Sequence, residues 1–146
     1  MAKKASGPKS TAWDRFSQWV RVRDCLKTTG LPFVGVCITC VRRYHISYLQ
    51  AGHCFAGRKN GHLFHKEFVN AQCTRCNEMF HGQSAKYRKV MDEKYGKDKV
   101  DEMKAEADKA IHDRDMDFPA IAKKYQELTN DLLGESYEDM LAGHSW

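Results

Sequence analysis

The chain lacks any apolar run near the roughly 20 residues that a helix needs to cross a bilayer, so we expect no membrane span. Its first ten residues, MAKKASGPKS, are basic but lack the apolar stretch of a signal peptide. No internal repeat is long enough to indicate a solenoid. We therefore expect a protein of a reducing cytoplasm, with 146 residues forming one compact domain plus appendages or two very small domains.

Charge is unevenly distributed along the chain, although the net formal charge is only +5. Residues 1–30 carry seven Lys or Arg against two Asp or Glu, and residues 31–95 carry ten against four. Residues 96–146 carry seven against thirteen, so the last third is acidic. A basic body of this size favours a polyanionic partner, most commonly nucleic acid. A solvated basic face without a partner is the alternative.

Four of the six cysteines form two CxxC pairs, Cys37 with Cys40 and Cys73 with Cys76. In a reducing compartment such pairs indicate a tetrahedral zinc with four thiolate ligands, which is structural because no position is open to substrate. A redox motif is disfavoured because no βαβ pattern surrounds either pair. The other two cysteines, 25 and 54, are expected to be small buried apolar residues.

The segment between the two pairs is longer than a zinc ribbon requires. Thirty-two residues separate Cys40 from Cys73, against the roughly 15–20 of a compact ribbon. This segment contains four histidines, His45, His53, His62 and His65. A purely structural zinc module would have little use for it, so we expect a functional site here.

Periodicity predicts helices on both sides of this cysteine-containing segment. Ser10 or Thr11 can cap a first helix that ends before Gly30. Residues 33–40 and the stretch YHISYLQAGH predict short strands, and helices are expected near 84–95, 98–112 and 118–133, the last ending at Gly134. The expected organisation is a disordered basic arm (1–10), an N-terminal helix (11–30), a zinc-bound core (31–96), acidic helices (97–134) and a tail (135–146).

Three stretches, LQAGHCF, NAQCTRCN and YRKVMDEKYG, resemble the NinG (Rap) recombination nucleases of lambdoid phages. The resemblance extends from about Trp13 to Leu133. It implies an α+β protein with a small zinc-stapled ββα-metal core, similar to the HNH and endonuclease VII nucleases, flanked by an N-terminal helix and C-terminal helices. It also implies a location in the cytoplasm of a bacterial host.

The same resemblance implies roles for individual residues. His53 matches the histidine that acts as general base, and Asn77, directly after Cys76, matches a ligand of the catalytic metal. Gly52 stands where many HNH enzymes have an aspartate, and Phe68 stands at the place of the central asparagine, the nearest asparagine being Asn70.

One metal ligand is therefore unassigned by the motif. His81, one helical turn beyond Asn77, is the first candidate, followed by Glu78 and His65. The catalytic metal is expected to be Mg²⁺, with Mn²⁺ as an alternative, beside the structural zinc.

The implied activity is metal-dependent hydrolysis of DNA at branched recombination intermediates such as Holliday junctions and D-loops. A non-catalytic zinc module that binds nucleic acid, and an HNH nuclease that nicks ordinary duplex, are the alternatives. Backbone contacts with DNA are expected from eleven cations. They are Arg15, Arg21, Arg23, Arg42, Arg43, Arg58, Lys59, Arg75, Lys86, Arg88 and Lys89.

The apolar stripes of residues 98–133 suggest a homodimer, whose two-fold symmetry would match a branched substrate. Recombination proteins are further possible partners.

Overall fold

A computed structural model describes residues 7–55 and 59–143, with side chains as far as residue 137. Most of the predicted arm and the predicted DNA contact Arg58 lie outside the described residues. The described chain mixes helices with two small antiparallel sheets. The helices are α1 (Pro8–Thr29), α2 (Asn60–Leu63), α3 (Ser84–Tyr95), α4 (Lys97–Ala107) and α5 (Phe118–Gly143), and the strands are β1 (Val34–Val36), β2 (Arg43–His45), β3 (Leu49–His53) and β4 (Val69–Cys73).

The first helix begins earlier than predicted. Pro8 occupies the first helical position, where its fixed φ suits a helix and its missing N–H costs nothing, so the cap is Gly7 rather than Ser10 or Thr11. The end is as predicted, because Gly30 adopts a left-handed conformation (φ 77°) and its N–H bonds to the carbonyl of Leu26.

The two sheets are both hairpins. β1 pairs with β2, and β3 pairs with β4 in a register that runs from Leu49 opposite Cys73 to His53 opposite Val69. A π-helical turn, Arg75–Met79, follows β4 and leads into α3. The hairpin β3–β4 is the centre of the fold, because α1 packs on one face of it and α3 on the other.

The C-terminal helices differ in length from the prediction. α4 ends at Ala107 instead of residue 112, and α5 continues through Gly134 to Gly143, so the expected tail is largely helical. A glycine inside a helix costs about 1 kcal/mol, which the packing of α5 along α1 offsets. Phe118 lies near Lys9, and Tyr125 packs on Phe16, so the two helices run parallel.

Most of the apolar side chains that suggested a dimer are covered within the chain, although Ile111 is 42% exposed. Ile121, Tyr125 and Leu128 of α5 pack into the cluster that Phe16 and Val20 form with the β3–β4 hairpin. The stripe of α4 is covered as well, because Val100 is fully buried against α3. The packing of these stripes within one chain removes the reason to expect a dimer through them. No helix among the described residues is long and apolar enough to cross a membrane.

Candidate functional site

The four paired cysteines meet at one point, as the sequence predicts. Cys37 and Cys40 occupy the tight turn after β1, Cys73 ends β4, and Cys76 lies in the π-helical turn. Their sulfur atoms all lie within 4.8 Å of one another, and Cys40 Sγ is 3.8 Å from Cys73 Sγ. Tetrahedral zinc with bonds of about 2.3 Å places its sulfurs about 3.8 Å apart, so this cluster can hold a structural zinc.

Local contacts favour thiolates unequally within this cluster. Burial acts to raise the pKa of Cys37, but a hydrogen bond with Thr39 and backbone N–H groups bring it down to about 6. Burial instead raises the pKa of Cys76 to about 12. At such a buried position a bound metal ion would stabilise the thiolate, because the metal ion takes the place of the thiol proton. The two unpaired cysteines, 25 and 54, are buried, as expected.

His53 lies at the end of β3, on the hairpin face that α1 covers. Its imidazole stacks on Trp13, with ring centroids 5.1 Å apart and an interplanar angle of 19°. Its Nε2 lies 3.3 Å from the carbonyl oxygen of Leu63. A carbonyl only accepts, so Nε2 carries the proton and Nδ1 has the free lone pair. Burial lowers the pKa of His53 below 6.5, which keeps the ring neutral at pH 7.

The residue before His53 is held by a buried tyrosine. Tyr87 of α3 is fully buried, and its hydroxyl donates to the carbonyl of Gly52 (2.8 Å) while accepting from the side-chain amide of Asn70 (3.0 Å). A Cβ at position 52 would collide with the side chain of Gln72, which is itself fully buried. An aspartate therefore has no room here, which explains why glycine stands at the position of the missing carboxylate.

Asn77 belongs to a polar chain on the other face of the hairpin. Its Nδ2 donates to Gln50 Oε1 (2.7 Å), and Gln50 Nε2 donates to Glu78 Oε1 (2.8 Å). This leaves the amide oxygen of Asn77 and the second carboxylate oxygen of Glu78 available as hard ligands. His81 lies beyond this turn, which ends at Met79, and has a left-handed backbone (φ 51°).

The structure does not bring His53 against Asn77. Gln50, the partner of Asn77, and His53 are three residues apart on β3, an odd separation that sends their side chains to opposite faces. Three residues of strand span about 10 Å. The side chains of Gln50 and His53 therefore leave β3 on opposite faces of the hairpin.

The other histidines of the segment have structural partners. His62 is buried and pairs with Asp108 across 46 residues of sequence, Nε2 to Oδ1 being 2.7 Å. His65 stacks on Phe68 at 4.2 Å, and its Nδ1 accepts from the backbone N–H of the same residue. His45 caps the turn that follows β2. Sequence reasoning missed the link between His62 and Asp108, since no local pattern connects α2 with the end of α4.

The structure divides the ten described cations into two groups. Arg23 ties α1 to β4, donating to the carbonyls of Lys66 (2.6 Å) and Val69 (2.8 Å). Three others also have protein partners: Arg21 a carbonyl, Arg88 two carboxylates, and Lys59 a carbonyl. The remaining six form no ion pair with a described residue and are Arg15, Arg42, Arg43, Arg75, Lys86 and Lys89.

Taken together, the fold is a small helical protein with two hairpins joined at a four-cysteine cluster that can hold zinc, with unpaired cations beside it. The chain matches the family model described as Bacteriophage Lambda NinG protein over residues 2–135. The chain therefore belongs to the NinG family. A search among curated proteins found no significant match, and neither did a search among solved structures.

Proposed function

We propose that this protein is a metal-dependent DNA endonuclease acting on branched recombination intermediates, with His53 as general base. The observation that carries the proposal is the arrangement of His53. Its Nε2 is tied to the Leu63 carbonyl, its ring is fixed by Trp13, and its pKa is lowered by burial. A neutral, oriented imidazole with a free Nδ1 is suited to removing a proton from water.

The surrounding frame supports the same reading. Strand β3, strand β4 and the helical turn with Asn77 follow in the order of a ββα-metal core, and the cysteine cluster joins the hairpin to the turn. Asn77 and Glu78 offer the oxygen ligands that Mg²⁺ prefers, so Glu78 stands beside His81 as a proposed second ligand. When bound, Mg²⁺ or Mn²⁺ would supply electrophilic stabilisation of the phosphate and the leaving oxygen.

The test compares wild type with His53→Ala on labelled four-way junction and linear duplex, with Mg²⁺ present or withheld. We expect the variant to bind junction normally and to lose cleavage by at least a hundredfold, the usual contribution of a general base. His112→Ala, an exposed histidine between α4 and α5, is the matched control and should cut normally. Cleavage that survives His53→Ala would refute the base assignment, provided that zinc content is equal.

A second candidate function is a zinc module that binds nucleic acid without cutting it. The unpaired cations beside the cysteine cluster favour this second function. Binding of DNA phosphates by these cations requires neither His53 nor Asn77. Junction binding by wild type with no cleavage under any divalent cation would select this candidate. Equal cutting of junction and linear duplex would instead indicate an HNH nuclease of the nicking type.

A dimer stays part of the proposal, because a junction presents two equivalent strands and two-fold symmetry would place one site at each. Its interface must use surfaces other than the stripes that pack against α1 and α3. Sedimentation at micromolar concentration, with and without bound junction, measures this. A monomer in both conditions would remove the dimer from the proposal.

A further inference from the structure

An open pocket of about 260 Å³ lies directly beside the cysteine cluster. Three cations line it, Arg42, Arg75 and Lys86, and no carboxylate is among its described lining residues. Zinc with four thiolates carries a formal charge of −2, which three cations exceed by one. The pocket is therefore cationic even with the metal bound, and it suits a phosphate group.

An exposed aromatic ring forms one side of this pocket. Phe80 is 45% exposed, and the guanidinium carbon of Arg75 lies 5.3 Å from the centre of its ring. Nearly half of the Phe80 side chain therefore faces solvent in the free protein. Together with a neighbouring arginine, it is the combination on which unpaired bases stack.

The turn that presents Phe80 is unusually constrained. His81, Gly82 and Gln83 have consecutive positive φ values of 51°, 85° and 54°. Non-glycine residues in this region each cost of the order of 1 kcal/mol and persist where the surroundings enforce them. Here the fully buried Gln72 donates from Nε2 to the carbonyl of Gly82 at 2.8 Å. The turn that follows Phe80 is thus held to the core at Gly82.

We propose that this pocket binds an unpaired nucleotide of a DNA strand, with the phosphate on Arg42, Arg75 and Lys86 and the base on Phe80. The inference rests on the proposed function in taking DNA as the partner. The pocket lies at the Leu49–Cys73 end of the hairpin, and His53 lies four residues away at the other end, about 13 Å along the strand. A strand leaving a branch point can occupy both, so the pocket supplies preference for branched over fully paired DNA.

The experiment measures binding without cleavage. Fluorescence anisotropy with Mg²⁺ withheld compares wild type and Phe80→Ala on a short oligothymidylate, a blunt duplex and a four-way junction. We expect Phe80→Ala to lose about tenfold in affinity for the single strand and less than twofold for duplex. Arg75→Gln should weaken binding to all three and reduce the salt dependence by about one counterion.

Two matched controls separate the pocket from general surface effects. Lys123→Gln removes an exposed cation from α5, and Ile111→Ala removes a 42%-exposed apolar side chain outside the pocket. Neither should change single-strand affinity. Zinc content is measured for every variant. If Arg75→Gln loses zinc without a direct effect on DNA binding, the cations stabilise the cysteine cluster instead of binding DNA, and the proposal is overturned.

Equal losses on single strand and duplex for Phe80→Ala, or no loss at all, would also overturn it. The result is independent of the nuclease assignment. If wild type binds single strands through Phe80 but cuts nothing, the pocket stands and the nuclease fails. If wild type cuts junctions and Phe80→Ala binds normally, the nuclease stands and the pocket fails.

Discussion

Replacing Tyr87 by phenylalanine tests whether α3 holds the hairpin in place through one buried hydroxyl. The single hydroxyl proton is shared between the carbonyls of Gly52 (2.8 Å) and Phe68 (3.2 Å), and the oxygen accepts from Asn70 (3.0 Å). In the variant one N–H of the Asn70 amide keeps the Glu67 carbonyl (3.1 Å), and the Phe68 carbonyl still accepts from the backbone N–H of Cys54 (2.9 Å). The Gly52 carbonyl and the other N–H of Asn70 both lose the tyrosine, and we expect a cost of about 1–3 kcal/mol in the free energy of unfolding.

Urea unfolding at saturating zinc measures this cost. With a slope near 2 kcal/mol/M, the midpoint should fall by about 1 M while the slope stays constant. Tyr125→Phe is the matched control, because Tyr125 is also buried but its hydroxyl has no hydrogen-bond partner among the described residues. It should cost less than about 0.5 kcal/mol. A Tyr87→Phe midpoint equal to that of the control would refute the positioning role.

Three further predictions follow from the site. Substituting Cys73 by serine, or chelating the metal, should abolish cooperative unfolding monitored by circular dichroism, since zinc binding in such sites contributes roughly 10–16 kcal/mol. In the same urea assay, Gly52→Ala should destabilise the protein by about 1–3 kcal/mol, because the added methyl group overpacks against Gln72. Gly134→Ala, on α5 with no neighbouring atom in its way, should stabilise the protein by up to about 1 kcal/mol. The cleavage rate should rise with pH as His53 loses its proton, with a midpoint below 6.5 because burial lowers its pKa. A midpoint above 7 would contradict this.

Features that depend on a few neighbouring residues could be predicted from the chain alone. The spacing of Cys37, Cys40, Cys73 and Cys76 predicted their convergence, because two intervening residues let both sulfurs of a pair point at one ion. The end of α1 was equally predictable, because a glycine that adopts a left-handed conformation ends a helix locally.

Local signals misled where packing outweighs them. Gly134 predicted a helix end, but α5 continues because its apolar face is buried along α1. The helix expected to run on from Asn77 is instead a short turn that ends at Met79, two residues before His81. Arg23, which we expected at DNA, donates to the carbonyls of Lys66 and Val69, more than 40 residues away, and no local signal predicts that link.

The sequence by itself determined the cysteine cluster, the family resemblance and the position of His53 within the hairpin segment, since each rests on residue type and short spacing. Only the tertiary structure decided how His53 is oriented, that Asn77 lies on the opposite face beside Glu78, and that Phe80 joins three cations in one pocket. The physical reason is that hydrogen bonding, burial and charge interactions depend on which residues are close in space, not on their separation in sequence. The folding of α1 and α3 onto the two faces of one hairpin sets those distances.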